Sequence, residues 1–187
     1  DRGRLLCSYR KTNLTIDGAF RESDWLKLFE MEKSYFSFFA EVINFILKSG
    51  ADSDRQKTLC RLFHATLWFH EGCREASPLI ATVKYAACMD ALGNGRGCGA
   101  ILTVFERILG WKRFSVVFQD GMTLEAVISR IYGQGRSRTI HGNNDQAHMD
   151  WSTIAARAEQ LARCLLIGCV EWAAEKDLKS DIAVLSK

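Results

Sequence analysis

At 187 residues, 48% of them apolar, and with a formal net charge of +3, the chain is sized for one domain with an ample core. A charge that small does not by itself mark a nucleic-acid binder. No apolar run is long enough to cross a bilayer, and Asp1-Arg2-Gly3-Arg4 leads into too short an apolar patch for a signal peptide.

The single proline, Pro78, and the near absence of strand-like alternation predict an all-α fold, a helical bundle of about five to six helices. Residues 1–22 are the exception: a short irregular N-terminal segment, either strand or extended arm, or the tail of a preceding domain. The chain opens on Asp1 rather than Met, which reads as a piece of a longer parent with further domains. The helical domain is expected over 23–178, with 179–187 as a C-terminal tail.

Its first helix is predicted over 23–47, capped by Ser23 or Asp24, with Leu28, Tyr35, Phe39, Val42 and Ile46 on one face and Ser49-Gly50 as the stop. A second, 54–73, turns Leu59, Leu62, Phe63, Thr66 and Leu67 inward. Ser77-Pro78 opens a third, serine as N-cap and proline where its missing N–H costs nothing, running through Val83, Ala87 and Ala91. Gly93-Asn94-Gly95-Arg96-Gly97 is a loop. It is not a phosphate cradle, because no Gly-Lys-Ser/Thr follows and no strand precedes. Short helices are expected over 100–109 and 122–132, the latter capped by Asp120. The last helix, capped by Asp150 or Ser152 and reaching about Glu175, carries the stripe Ile154, Ala158, Leu161, Leu165, Gly168, Trp172. One core containing Trp68, Val83, Leu161 and Leu165 follows.

The seven cysteines are odd in number and irregular in spacing, with no CxxC and no Cys/His set at zinc-ligand spacing. The expectation is reduced, buried thiols in a cytoplasmic protein without metal or cofactor. His64 and His70, among Leu62, Phe63, Trp68 and Phe69, read as core-edge histidines; His148 has no evident partner.

Chemistry concentrates in Arg136-Ser137-Arg138-Thr139-Ile140-His141-Gly142-Asn143. Arginine is a permanent cation whose planar fork suits phosphate, and histidine exchanges protons near neutral pH. Together they suffice for phosphodiester chemistry without a metal. Residues 130–141 hold Arg130, Arg136 and Arg138 and no acid. The plainer readings stand beside this one. Arg136 and His141 equally fit capping a helix or pairing with carboxylates, and Arg138 fits a solvated or phosphate-positioning role. Gly142-Asn143 fits a helix stop. Asp90, beside Ala87 and Ala91, is either a surface acid or a buried one needing a partner such as Arg136 or Arg138.

These residues resemble the ApeA-like group of HEPN domains. The likeness is carried by Ile131-Tyr132 followed by Arg136-Ser137, then His141-Gly142; by Ala65-Thr66-Leu67-Trp68-Phe69; and by the small-residue helix Lys84–Leu92. It covers roughly 26–175. The chain departs from the group at Ser137, where HEPN ribonucleases usually carry Asn, Asp or His, at Gly133 and Gly135, and at Asp90, where Glu is frequent. Each helix-interior glycine lowers helix propensity by about 1 kcal/mol.

The resemblance implies a metal-independent endoribonuclease or RNA-binding domain of a bacterial defence or toxin-type protein. RNA, tRNA included, is the implied partner, and a homodimer brings two copies of the motif to one cleft. It gives Arg136 and His141 the catalytic roles, Arg138, Ser137, Asn143 and Tyr132 substrate contact, and Asp90 support of the motif. The alternative is a catalytically silent HEPN module for dimerisation or regulation.

Overall fold

The computed structural model describes residues 6–10 and 13–17, a set of helical residues between 26 and 44, and 54–175. The N-terminal segment is more regular than expected. β1 (Leu6–Arg10) and β2 (Asn13–Asp17) form an antiparallel hairpin with Leu6 opposite Asp17 and Arg10 opposite Asn13. The rest is an all-α bundle, as expected. Of the first predicted helix, the described residues are helical and Val42 reaches the core. Its predicted caps and its other inward positions lie outside the described residues.

Helix α1 spans Asp54–Arg74. Its buried face is Thr58, Leu59, Leu62 and Ala65, so Leu67 points outward and Trp68 is 42% exposed rather than in the core. The apolar run 67–69 holds no polar residue to set the phase, so periodicity alone does not show which of its sides faces the core. His64 and His70 lie on the exposed side too, not at the core edge.

Helix α2 (Pro78–Leu92) starts as predicted: Ser77 Oγ accepts from the Ile80 N–H, and Pro78 occupies the first turn. It packs against α1 and the last helix, and against the motif segment described below. Being central, it buries most of its circumference, including Ala81, Thr82, Tyr85, Ala86, Cys88, Met89, Asp90 and Leu92. A helix buried nearly all round shows no clean stripe, and Val83, Ala87 and Ala91 are only half-buried.

Helix α3 is Cys98–Leu109, ended by Gly110 at φ +69. Helix α4 is Leu124–Ser129, capped by Thr123, whose hydroxyl accepts from the Ala126 N–H. Asp120, expected as that cap, instead accepts from the Met122 N–H and pairs with Arg157. Helix α5 is Arg138–Ile140 and α6 is Ser152–Glu175. Asp150 accepts from the Ser152 N–H at the start of α6. Its predicted stripe is buried from Ile154 to Gly168, with Trp172 half-buried. At Gly168 a Cβ would lie 2.5 Å from Ile108 Cγ2, so α3 and α6 meet where no side chain intervenes. Phe105, Met89, Leu92, Ile128, Ile131 and Leu165 are fully buried at the centre. Each contributes roughly 1.5–3 kcal/mol by leaving water. No described helix is long and apolar enough to cross a membrane.

Candidate functional site

Between α4 and α5 the chain does not leave helical geometry. Arg130–Ser137 winds as a π-helix and hands over to α5, so 124–140 is one continuous helical rod with a widened middle. The two glycines expected to loosen this stretch sit inside the π segment. A Cβ at Gly135 would lie 2.8 Å from Thr82 Cγ2 and 3.4 Å from the Trp151 ring, whereas Gly133 faces open space. Gly135 therefore sets how closely the rod approaches α2 and Trp151. π segments are rare and concentrate at functional sites.

The rod ends in a Schellman turn. Gly142, at φ +70, donates to Thr139 O and Asn143 N donates to Arg138 O. This gives Gly142-Asn143 the helix-stopping role. His141 is the C-cap residue, its backbone N–H bonded to Ser137 O and its ring exposed with no partner among the described residues.

Arg136 turns the other way. Its Nη2 lies 3.1 Å from Asp90 Oδ2 and its Nη1 donates to Tyr132 Oη at 2.9 Å. Its guanidinium carbon is 4.9 Å from the Tyr132 ring centre. The side chains of Arg136 and Asp90 are 26% and 8% exposed, and Arg136 Nε is buried with no acceptor. Asp90 is thus the buried acid with an arginine partner, and the arginine is Arg136. The glycine loop completes its cradle: Gly97 N donates to Asp90 Oδ1 at 3.1 Å and Gly95 N to Asp90 O at 2.8 Å. Burial, with the Asp90 charge second, pushes the Tyr132 hydroxyl above its ordinary range; burial does the same to the Cys98 thiol, and Asp90 adds to it.

The structure gathers Tyr132, Arg136 and Asp90 into one cluster and sets His141 outside it, on the exposed end of the rod. Arg138 is exposed and pairs with Asp145 at 3.1 Å, Ser137 is half-buried, and Asn143 is exposed. Three features escaped the sequence reading. Asn144 Nδ2 donates to both Gln134 O and Thr139 Oγ1, while its Oδ1 accepts from Gln146 N, tying the 141–150 loop back onto the rod. Trp151 Nε1 fixes the same loop through Gln146 O. The glycine loop serves Asp90. For the cluster itself the sequence offers two signals, the i, i+4 spacing of Tyr132 and Arg136 and Asp90 as an acid in need of an arginine partner.

Among the described residues no group of three or more His, Cys, Asp or Glu could hold a metal ion. Compared with family models, curated proteins and solved structures, the chain finds no match. The likeness to HEPN domains rests on the residues that carry it.

Proposed function

We propose that the chain is a HEPN-type, metal-independent RNA-cleaving or RNA-binding domain of the bacterial defence or toxin kind, acting in the cytoplasm as a homodimer. The observation that carries the proposal is a half-buried arginine held from two sides by Asp90 and Tyr132, followed at the C-cap by an exposed histidine whose ring has no partner among the described residues. Within one chain the two face different ways, so the reaction requires the second copy to bring them to one phosphate. Arginine has five N–H donors, so each terminal nitrogen of Arg136 keeps one N–H beyond the bonds to Asp90 and Tyr132.

In the proposed reaction the RNA 2′-hydroxyl attacks the adjacent phosphorus and the 5′-oxygen leaves, giving a 2′,3′-cyclic phosphate. His141 takes the proton from the nucleophile or gives one to the leaving oxygen. The second copy of the motif supplies the other transfer. Arg136 stabilises charge on the non-bridging oxygens, and Asp90 and Tyr132 hold it in position. Arg138 and Asn143, exposed near the rod's end, meet neighbouring phosphates and sugars. Dependence on the 2′-hydroxyl selects RNA without base reading.

A second reading, a silent HEPN module for dimerisation or regulation, has its own observation. Asp90 already neutralises the Arg136 charge, and Ser137 stands where active members carry a larger polar group.

The test is incubation of the purified chain with total RNA and tRNA in EDTA. The enzyme reading expects cleavage that His141→Ala abolishes and that Arg136→Ala slows by about 100-fold. Arg136→Lys rescues only in part, because an ammonium lacks the planar fork. Stable RNA in the presence of a folded dimer supports the silent module.

A further inference from the structure

Beside the π segment lies a cavity of about 430 Å³ lined by Ala126, Ser129, Arg130, Gln134, Gln146 and Met149. We infer that it is a nucleotide subsite, which seats one unpaired base of single-stranded RNA with Arg130 on the flanking phosphate. The inference rests on the RNA reading above and names where that RNA is gripped.

The lining decides what the cavity can hold. Its charge is one cation and no carboxylate, which suits a polyanion. A second cavity, of about 280 Å³ between α1, α2 and α6, carries Glu75 and Glu159 and no lining cation. The side chains of Ser129, Arg130, Gln134 and Gln146 make no hydrogen bond among the described residues. Each glutamine amide presents donors and an acceptor together, the pairing that a base edge presents in return. Unpaired bases expose those edges. Met149, 52% exposed, supplies a polarisable apolar surface for the ring face. Arginine is the side chain suited to phosphate.

The frame is rigid although the side chains are free. One residue, Asn144, bonds both the Gln134 carbonyl and the Gln146 N–H, and Trp151 holds the Gln146 carbonyl. The two amides therefore project from backbone positions fixed relative to each other, which lowers the ordering cost of binding.

The experiment measures binding of short fluorescent single-stranded oligoribonucleotides (oligo-U, oligo-A and oligo-C) to the full chain carrying His141→Ala, which keeps the RNA whole. Anisotropy is followed over a salt series. Against that background, Gln146→Ala is expected to weaken binding by about tenfold and to change the ranking of the three oligomers. Arg130→Ala should weaken all three alike and reduce the slope of log affinity against log salt by about 0.7, the loss of one phosphate contact on a single strand. Gln146→Glu keeps the size of the side chain and should weaken binding more than Gln146→Ala. Thermal melts confirm that each variant is folded. Pocket variants that bind like the background, with unchanged ranking and slope, overturn the subsite and leave the RNA reading intact. A background protein that binds no RNA, together with an unmodified chain that cleaves none, overturns both.

Discussion

Asp90→Ala tests the construction of the site without reference to any reaction. Removing one member of a fully buried ion pair costs about 3–5 kcal/mol, because the other charge is stranded. The Arg136 side chain keeps 26% exposure, so water recovers part of that and about 2 kcal/mol remains. The Gly97 N–H also loses its acceptor, adding about 1 kcal/mol. The expected total is about 3 kcal/mol, a large share of the roughly 5–15 kcal/mol that holds a domain together. In a chain of this size it corresponds to a melting shift of roughly 6–12 °C. Asp90→Asn keeps an oxygen for the Gly97 N–H and should cost less. Urea unfolding followed by far-UV circular dichroism gives the numbers. In the double-mutant cycle with Arg136→Met the coupling should be about 2 kcal/mol. A value for Asp90→Ala within about 0.5 kcal/mol of the parent would refute the ion pair as the anchor of this segment.

The two glycines of the π segment should respond oppositely. Gly135→Ala drives a methyl into Thr82 and Trp151 and should destabilise by about 1–3 kcal/mol. Gly133→Ala, in open space, should stabilise by about 0.5 kcal/mol, and urea midpoints distinguish the two. Cys88 and Cys169 are buried, and burial pushes both thiols well above their ordinary range, with neighbouring thiols adding to the effect at Cys88. Alkylation of the native protein read by mass spectrometry should therefore leave these two unmodified while the half-buried Cys60 and Cys164 react. The Glu75 carboxyl is held below its ordinary range, first by the hydrogen bond from Lys84 and then by the Ser77 N–H. Its stabilisation is full above the unfolded glutamate value and is lost as pH falls through the folded value. The melting difference between the parent and Lys84→Met should then be largest near neutrality and shrink in acid.

How much of this was legible in the sequence depended on contrast between neighbours. Ser77-Pro78 is a local cap signature, and Arg157, Glu159, Gln160 and Arg163 set off the stripe that starts at Ile154; both appear where expected. Apolar runs without contrast misled: Trp68 sits outside, and α2, buried almost all round, offered no phase to read. The π winding was not legible, because Gly133 and Gly135 read as helix breakers until Thr82 and Trp151 are seen pressing on the second of them. At the site, the motif's composition names Arg136 and His141, the family resemblance adds Tyr132, and Asp90 paired with Arg136 is one of the readings the residues leave open. That Arg136 faces inward to Asp90 while His141 faces water depends on helix phase and on the Schellman stop. The bond from Asn144 to Gln134 spans a loop, and a chain pattern carries no signal for it.

The most direct test of the central claim is the chemistry of the RNA ends. Product formed in EDTA by the unmodified chain is 5′-labelled and digested alongside alkaline-hydrolysis standards, and His141→Ala is run in parallel. The account predicts 2′,3′-cyclic phosphate and free 5′-hydroxyl ends from the unmodified chain and none from the variant. Ends carrying 3′-hydroxyl and 5′-phosphate, cleavage only when magnesium is added, or equal cleavage by His141→Ala would contradict it.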